Sequence, residues 1–394
     1  MLYLTTQLTI DEGCVNYLTK ISAVFSRNAF VLLCWGIWLG LHSSNLILSV
    51  HLNLAPMLAV ATTIFCAMIG CIFTVNHYAD QLAELLEEPL GTLLLTLSCA
   101  AIEVSLMLVI IFNGNNNPTM LRDTVYATLM IMLNGMVGLC LVAGGWRHFE
   151  QTFNLRGAMS YLHLIAPLVL ILLIMPNSTV TTDGPTLSPA QEIFLGGLCI
   201  FVYLLFLLMQ TTRHKALFDS HHDEGHLTVY VPPPRHHPPS TNRHLAITGA
   251  ALGLIVSVVP IVLLAEYLGD VLNFGIEALN APIELAGVII AILVLTPEGL
   301  SACRAAMANH MQRAVNICLG SALSTIALTV PCMLIAAGFK GMDLTLGVFG
   351  GASTLLYATL LTTLITLVCA RTTMLQGNVH LMLFFSYLFF IFYP

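Results

Sequence analysis

Two carboxylates stand inside stretches that are otherwise apolar. Glu103 lies in a run that begins after Glu87-Glu88-Pro89-Leu90-Gly91-Thr92 and extends to Phe112, with no basic residue nearby in the chain. Glu298 lies in a second run opened by Ala281-Pro282-Ile283-Glu284. The spacing from proline to glutamate is similar in both, 14 residues from Pro89 to Glu103 and 16 from Pro282 to Glu298. Both runs are long enough to cross a bilayer, where a carboxylate is costly unless it faces a bundle interior or water. Placed there, it can bind a cation when ionised and a proton when neutral.

The neighbours of each glutamate extend that chemistry. On a helix, Thr92, Thr96, Cys99 and Glu103 fall at i, i+4, i+7 and i+11, one polar face leading to a carboxylate. Hydroxyl oxygens suit a hard cation, and they can equally bond back to their own helix. Glu298 follows Pro297, whose ring removes a backbone donor and leaves carbonyls such as that of Leu293 without a helical partner. Freed carbonyls beside a carboxylate serve as cation ligands in transporters. Gly287 and Ala291 share the face of Glu298 and allow close helix approach.

In the run after each glutamate small polar residues recur, Asn134-Gly135 with Gly138 in the first and Gly320-Ser321 with Ser324, Thr325 and Thr329 in the second. We place Asn134 and Ser321 next to the site, although such groups also act as glue between helices. Glu88 and Glu284 lie at span ends and are placed at the entrance; Glu88 is roughly 22 Å from Glu103 along an unbroken helix, too far to share one ion. Glu266, Asp270 and Glu277 read most simply as solvated loop charge.

These residues must be carried by membrane helices. The 394 residues are 57% hydrophobic and only 8% charged, with a mean hydropathy of +0.88. A soluble domain carries about 25% charged residues, so the chain reads as an all-α polytopic membrane protein and not as a nucleic-acid-binding one. Eleven apolar runs near 29–49, 54–75, 89–112, 123–145, 158–175, 190–210, 245–268, 281–303, 314–338, 345–370 and 377–393 are candidate spans. With the N-terminus inside, eleven of the thirteen basic residues fall on the cytoplasmic side and only Arg122 and Lys340 outside. Most of the eleven cysteines sit in apolar runs, and no Cys-x-x-Cys pair points to zinc or redox chemistry. Asp11 and Glu12 interrupt the first residues, so no cleavable signal peptide is expected.

The expected organisation is an N-terminal tail and first helix (1–53), five helices (54–210), a His/Pro-rich cytoplasmic linker (211–244) and five more helices (245–394). The linker holds His221-His222-Asp223-Glu224-Gly225-His226 and Pro232-Pro233-Pro234-Arg235-His236-His237, a solvated loop that could alternatively bind metal or sense pH. Glu103 falls in the second helix of the first five and Glu298 in the second of the last five. An odd number of spans per half gives the halves opposite topology, the inverted-repeat plan of many secondary transporters.

The segments 88–107, 134–151 and 282–331, above all Pro297-Glu298-Gly299-Leu300, Asn316 and Leu319-Gly320-Ser321-Ala322-Leu323, resemble the bacterial ChaA-type cation/proton antiporters of the cation/calcium exchanger superfamily. The resemblance covers roughly residues 54–393. It implies two inverted five-helix repeats in the inner membrane and proton-coupled export of Ca2+, Na+ or K+, with one essential glutamate per repeat, here Glu103 and Glu298. The wider superfamily motif reads Gly-Asn-x-x-Glu, whereas this chain has Cys99-Ala100 and Val294-Leu295 at the corresponding positions, without the amide ligands. The expectation is therefore an antiporter with no cofactor beyond its transported ions and no enzymatic activity. A cation channel using the same carboxylates is the alternative.

Overall fold

The computed structural model describes residues 28–43, 54–86, 98, 100–109, 118–182, 184–213, 217–218 and 240–393. The helices among them are α1 (Asn28–Ser43), α2 (Leu54–Leu85), α3 (Ala100–Val109), α4 (Met120–His148), α5 (Leu155–Ser178), α6 (Pro189–Thr211), α7 (Ser240–Leu279), α8 (Glu284–Met307), α9 (Met311–Lys340), α10 (Gly351–Val368) and α11 (Met374–Phe392). Nine of these are long and apolar enough to cross a bilayer, and α1 and α3 are shorter apolar helices. The chain is an all-α polytopic membrane protein, its backbone polar groups satisfied within helices as hydrocarbon requires. Two three-residue strands, β1 (Glu150–Thr152) and β2 (Arg371–Thr373), are the exception to the helical plan among the described residues.

Packing relates α2–α6 to α7–α11. Helix α2 lies along α7, α4 meets α8 and α11, α6 meets α9, and α5 meets α10. A hydrogen bond from α9 to α3 completes the set. Exchanging the two groups of five returns the same contacts. The connections obey the exchange too. Strand β1, between α4 and α5, pairs antiparallel with β2, between α10 and α11, in the register Glu150↔Thr373 and Thr152↔Arg371. Its counterpart is the isolated bridge Thr186↔Thr345, between the α5–α6 and α9–α10 connections. The ladder precedes α5 and the bridge follows it, so the two mark opposite ends of the bundle.

The basic residues sort by the same ends. Arg147, Arg156, Arg213, Arg243, Arg304, Arg313 and Arg371 lie at helix ends on the ladder side, whereas Arg122 and Lys340 lie on the bridge side.

Two apolar cores result. The larger is built by α4, α5, α6, α9, α10 and α11 with one face of α8. The smaller joins α1, α2 and α7 to Ile102 and Leu106 of α3 and Leu293 of α8. The helices that carry the two glutamates thus run along the seam between the cores.

Helix α7 is longer than the sequence predicts. It passes through Pro260 and continues to Leu279, so Glu266, Asp270 and Glu277 are helical rather than in a loop. Pro260 lacks the N–H that would meet the Val256 carbonyl, but Trp35 Nε1 of α1 donates to that oxygen at 3.3 Å. One residue on, Cys71 Sγ of α2 reaches the Ser257 carbonyl at 3.3 Å. Neighbouring side chains that replace a lost backbone donor are what make an intramembrane proline tolerable.

Close approach of α8 to α4 depends on Gly287. A Cβ there would stand 3.0 Å from the Asp123 carbonyl carbon and from the Thr124 nitrogen, both backbone atoms that cannot yield. Gly287→Val should therefore cost about 1–3 kcal/mol by overpacking and lower the unfolding temperature of the purified protein. Gly269→Ala, on a helix face where an added Cβ meets nothing, should leave it unchanged or raise it slightly. Equal unfolding temperatures for both variants would show that Gly287 does not set the α4–α8 spacing.

Candidate functional site

Glu103 is brought into the bundle by the apolar residues on either side of it. Ile102 and Leu106 turn to the smaller core and Met107 to the larger, leaving the Glu103 carboxylate between them, 5% exposed. Its partner comes from the other group of five helices. The Thr325 hydroxyl of α9 donates to Glu103 Oε2 at 3.0 Å and also lies 3.1 Å from the Ser321 carbonyl. Thr329, four residues on and wholly buried, turns its hydroxyl toward the same carboxylate beyond direct hydrogen-bond geometry.

Both threonines belong to a π-helical turn, Thr325–Thr329, that interrupts α9. A π turn carries one residue more than an α turn and often marks a functional site. Helix α4 has one as well, at Ile131–Met136. Each group of five thus has a widened turn in the helix after its glutamate.

Glu298 sits half-buried on α8, directly after the buried Pro297. It lies within electrostatic reach of Glu103, 195 residues away in sequence and on the other group of five helices. Gly299 lets the helix press against α4. A Cβ there would fall 2.4 Å from Met136 Sδ, which therefore rests on the backbone next to Glu298.

The other sequence-predicted residues divide. Ser321 takes part through its carbonyl, which competes with Glu103 for the Thr325 hydrogen. Asn134 is fully buried in the π turn of α4, but it faces α10 and α11, with its amide nitrogen 2.7 Å from Thr359 Oγ1 and its oxygen 3.3 Å from His380 Nδ1. Glu284 is exposed at the start of α8, on the bridge side, near Asp123. Asp123 itself is buried and paired with Arg122 at 2.7 Å. Glu88, Thr92 and Thr96 lie outside the described residues, as do the N-terminal tail and most of the histidine linker.

The sequence places Ser321 next to the site, whereas the hydroxyl on Glu103 is that of Thr325, one turn further along the same stripe. His380 is not among the residues the sequence singles out, although a histidine within an apolar run is a signal of its own.

The arrangement can follow a proton. A threonine hydroxyl has one hydrogen and two lone pairs. With Glu103 ionised, Thr325 donates to it. With Glu103 protonated, the carboxyl O–H can donate to Thr325 while the hydroxyl hydrogen turns to Ser321. No backbone movement is needed to serve either state.

The family model described as sodium/calcium exchanger protein matches residues 56–212 and 249–393. The sodium-potassium/proton antiporter ChaA of Escherichia coli (strain K12) is 33% identical over 362 residues, covering 92% of this chain and 93% of its own. Among solved structures, native YfkE superposes with a TM-score of 0.70 at 16% identity, covering 93% of this chain and 99% of that one. The H+/Ca2+ exchanger CAX superposes with a TM-score of 0.63 at 13% identity, covering 92% and 88%.

Thr325→Val keeps the side-chain shape and removes the hydroxyl. A lost donor costs an ionised carboxylate about 1.5–3 kcal/mol and a protonated one less. The deficit in unfolding temperature relative to wild type should therefore widen as pH rises. A deficit that stays constant from acid to alkaline pH would show that Thr325 does not donate to Glu103.

Proposed function

The chain belongs to the sodium/calcium exchanger protein family, whose members are membrane transporters, and we propose that it exchanges cytoplasmic Ca2+, Na+ or K+ for external protons at one site shared by Glu103 and Glu298. The observation that carries this reading is the electrostatic proximity of the two carboxylates, one from each group of five helices, inside a membrane bundle. Two like charges in a medium of low dielectric repel, and the repulsion is relieved by a cation between them or by protons on them. Each occupant takes the place of the other, and that competition is the exchange.

The surroundings suit both occupants. Thr325 and Thr329 offer hydroxyl oxygens to a hard cation, and Thr325 can reverse its hydrogen bond when Glu103 takes a proton. The seam between the two cores is where one body can move past the other, and rocking of the repeats there would open the site to each side in turn. Charge supports an orientation. The arginine-rich ladder end fits the cytoplasm, which also puts the start of α1, bonded through Asn28 to Tyr78, on that side of a bacterial inner membrane.

The cation is approached from ligand chemistry. Two carboxylates match the charge of one divalent ion or two monovalent ones, and Cys99-Ala100 and Val294-Leu295 supply no side-chain amide. Names of relatives point both ways, to sodium, potassium and protons in the E. coli antiporter and to calcium and protons in CAX.

Everted membrane vesicles carrying a pH-sensitive dye test the reading, with Ca2+, Na+ and K+ added separately. The cation that is transported should release protons. Glu103→Gln and Glu298→Gln should each reduce the response to background, and Glu284→Gln should weaken it only in part. Full activity in either inner-glutamate variant would falsify the site. Cation flux that continues without proton counterflow would replace the antiporter with a channel.

A further inference from the structure

A buried polar chain centred on His380 joins three helices from both groups of five. Asn134, Thr359 and His380 are each 0% exposed and Thr366 is 4% exposed. The direction of every hydrogen bond can be read from one end. The Thr359 hydroxyl donates to the Leu355 carbonyl at 2.8 Å, so its oxygen accepts from Asn134 Nδ2 at 2.7 Å. That turns Asn134 Oδ1 toward His380 Nδ1, 3.3 Å away. An amide oxygen only accepts, so Nδ1 carries the hydrogen. Nε2 is then the acceptor, and it takes the Thr366 hydroxyl at 3.0 Å. A neutral imidazole in a single tautomer satisfies the whole chain; the ring also meets the backbone carbonyl of Leu133, in the same turn as Asn134, and both of its side-chain partners are uncharged.

Glycines make this contact possible. A Cβ at Gly377 would stand 2.8 Å from the Gly138 carbonyl oxygen, and one at Gly138 would stand 3.0 Å from that of Gly377. Backbones of α4 and α11 therefore touch one turn below His380. The tethered residue, Asn134, belongs to the π turn Ile131–Met136. Two residues on, the same turn seats Met136 against Gly299, next to Glu298. From His380 to Glu298 the path is thus imidazole, amide, widened turn, thioether and backbone.

We propose that His380 is a positioning residue for Glu298. Its Nδ1–H holds Asn134, Asn134 holds the π turn of α4, and the turn sets where Met136 supports the Glu298–Gly299 step. The role requires a donor at the Nδ1 position and does not require His380 to change charge. It rests on the reading of Glu298 as an ion-binding residue, and the Glu298→Gln variant measured alongside tests that reading separately.

Three variants of the full chain in everted vesicles test the role, each assayed for maximal rate, half-saturating cation concentration and pH profile. In His380→Asn the side-chain N–H takes the place of Nδ1–H, so transport should stay within about twofold of wild type with the same pH profile. His380→Gln puts its N–H one methylene too far, and His380→Leu has none. Both should lose about tenfold or more in rate or apparent affinity, as loss of an outer-shell partner does at ion sites.

Asn and Gln are both polar and close in size, so their difference stands even if the leucine variant does not fold. Equal activity of the asparagine and glutamine variants would overturn the proposal. So would an altered pH profile in the asparagine variant, which would make His380 a proton carrier, and so would a fully active leucine variant. If Glu298→Gln alone were fully active, the ion-site reading would fall, whatever the histidine variants do.

Discussion

A carboxylate inside a membrane must be compensated, and here two must be compensated together. Glu103 is nearly sealed from solvent and feels the charge of Glu298. Left ionised with nothing between them, the pair would oppose the packing of the very helices that carry it. The surrounding structure answers that constraint. It supplies the Thr325 hydroxyl, whose single hydrogen can be given to the carboxylate or withdrawn to Ser321. It also places α3 and α8 at a seam, with an apolar core on either side, rather than in the middle of one. Acidic helices placed at a seam are coupled to any motion of one core against the other.

Widened turns serve both halves of the arrangement. In α9 the π turn holds Thr325 and Thr329, which face Glu103. In α4 it holds Asn134, which faces the α10–α11 pair, and Met136, which backs Gly299. The two turns are related by the exchange of the five-helix groups, yet their side chains have diverged. One turn touches its glutamate with a hydroxyl, and the other supports its glutamate through packing. The pseudo-symmetry therefore fixes where the turns lie and leaves each free to carry different chemistry.

Intramembrane irregularities are matched by donors elsewhere. Pro260 frees the Val256 carbonyl, and Trp35 of α1 meets it. Helix α1 lies before the first residue of the family match, at 56, and contributes a tryptophan to a bond that the repeats themselves lack. Short polar connections do similar work at the ends of the bundle, where the β1–β2 ladder and the Thr186–Thr345 bridge tie the two groups together.

The sequence by itself determined the membrane class, the helical runs, and the presence of Glu103 and Glu298 within them, because hydropathy and a lone acid within it are local properties. It also showed the stripe Ser321, Thr325, Thr329, since i+4 spacing is visible in one helix. Tertiary structure alone decided which hydroxyl of that stripe meets Glu103, and that Asn134 turns to His380. Those outcomes depend on how helices from distant parts of the chain rotate against each other. A single π turn rotates every later residue, and no pattern of apolar residues in α4 or α9 announces one. Glycine pairs such as Gly138 and Gly377 bring backbones together only after the fold has chosen the partner. The acids were written in the sequence, and their hydrogen-bond partners came from packing.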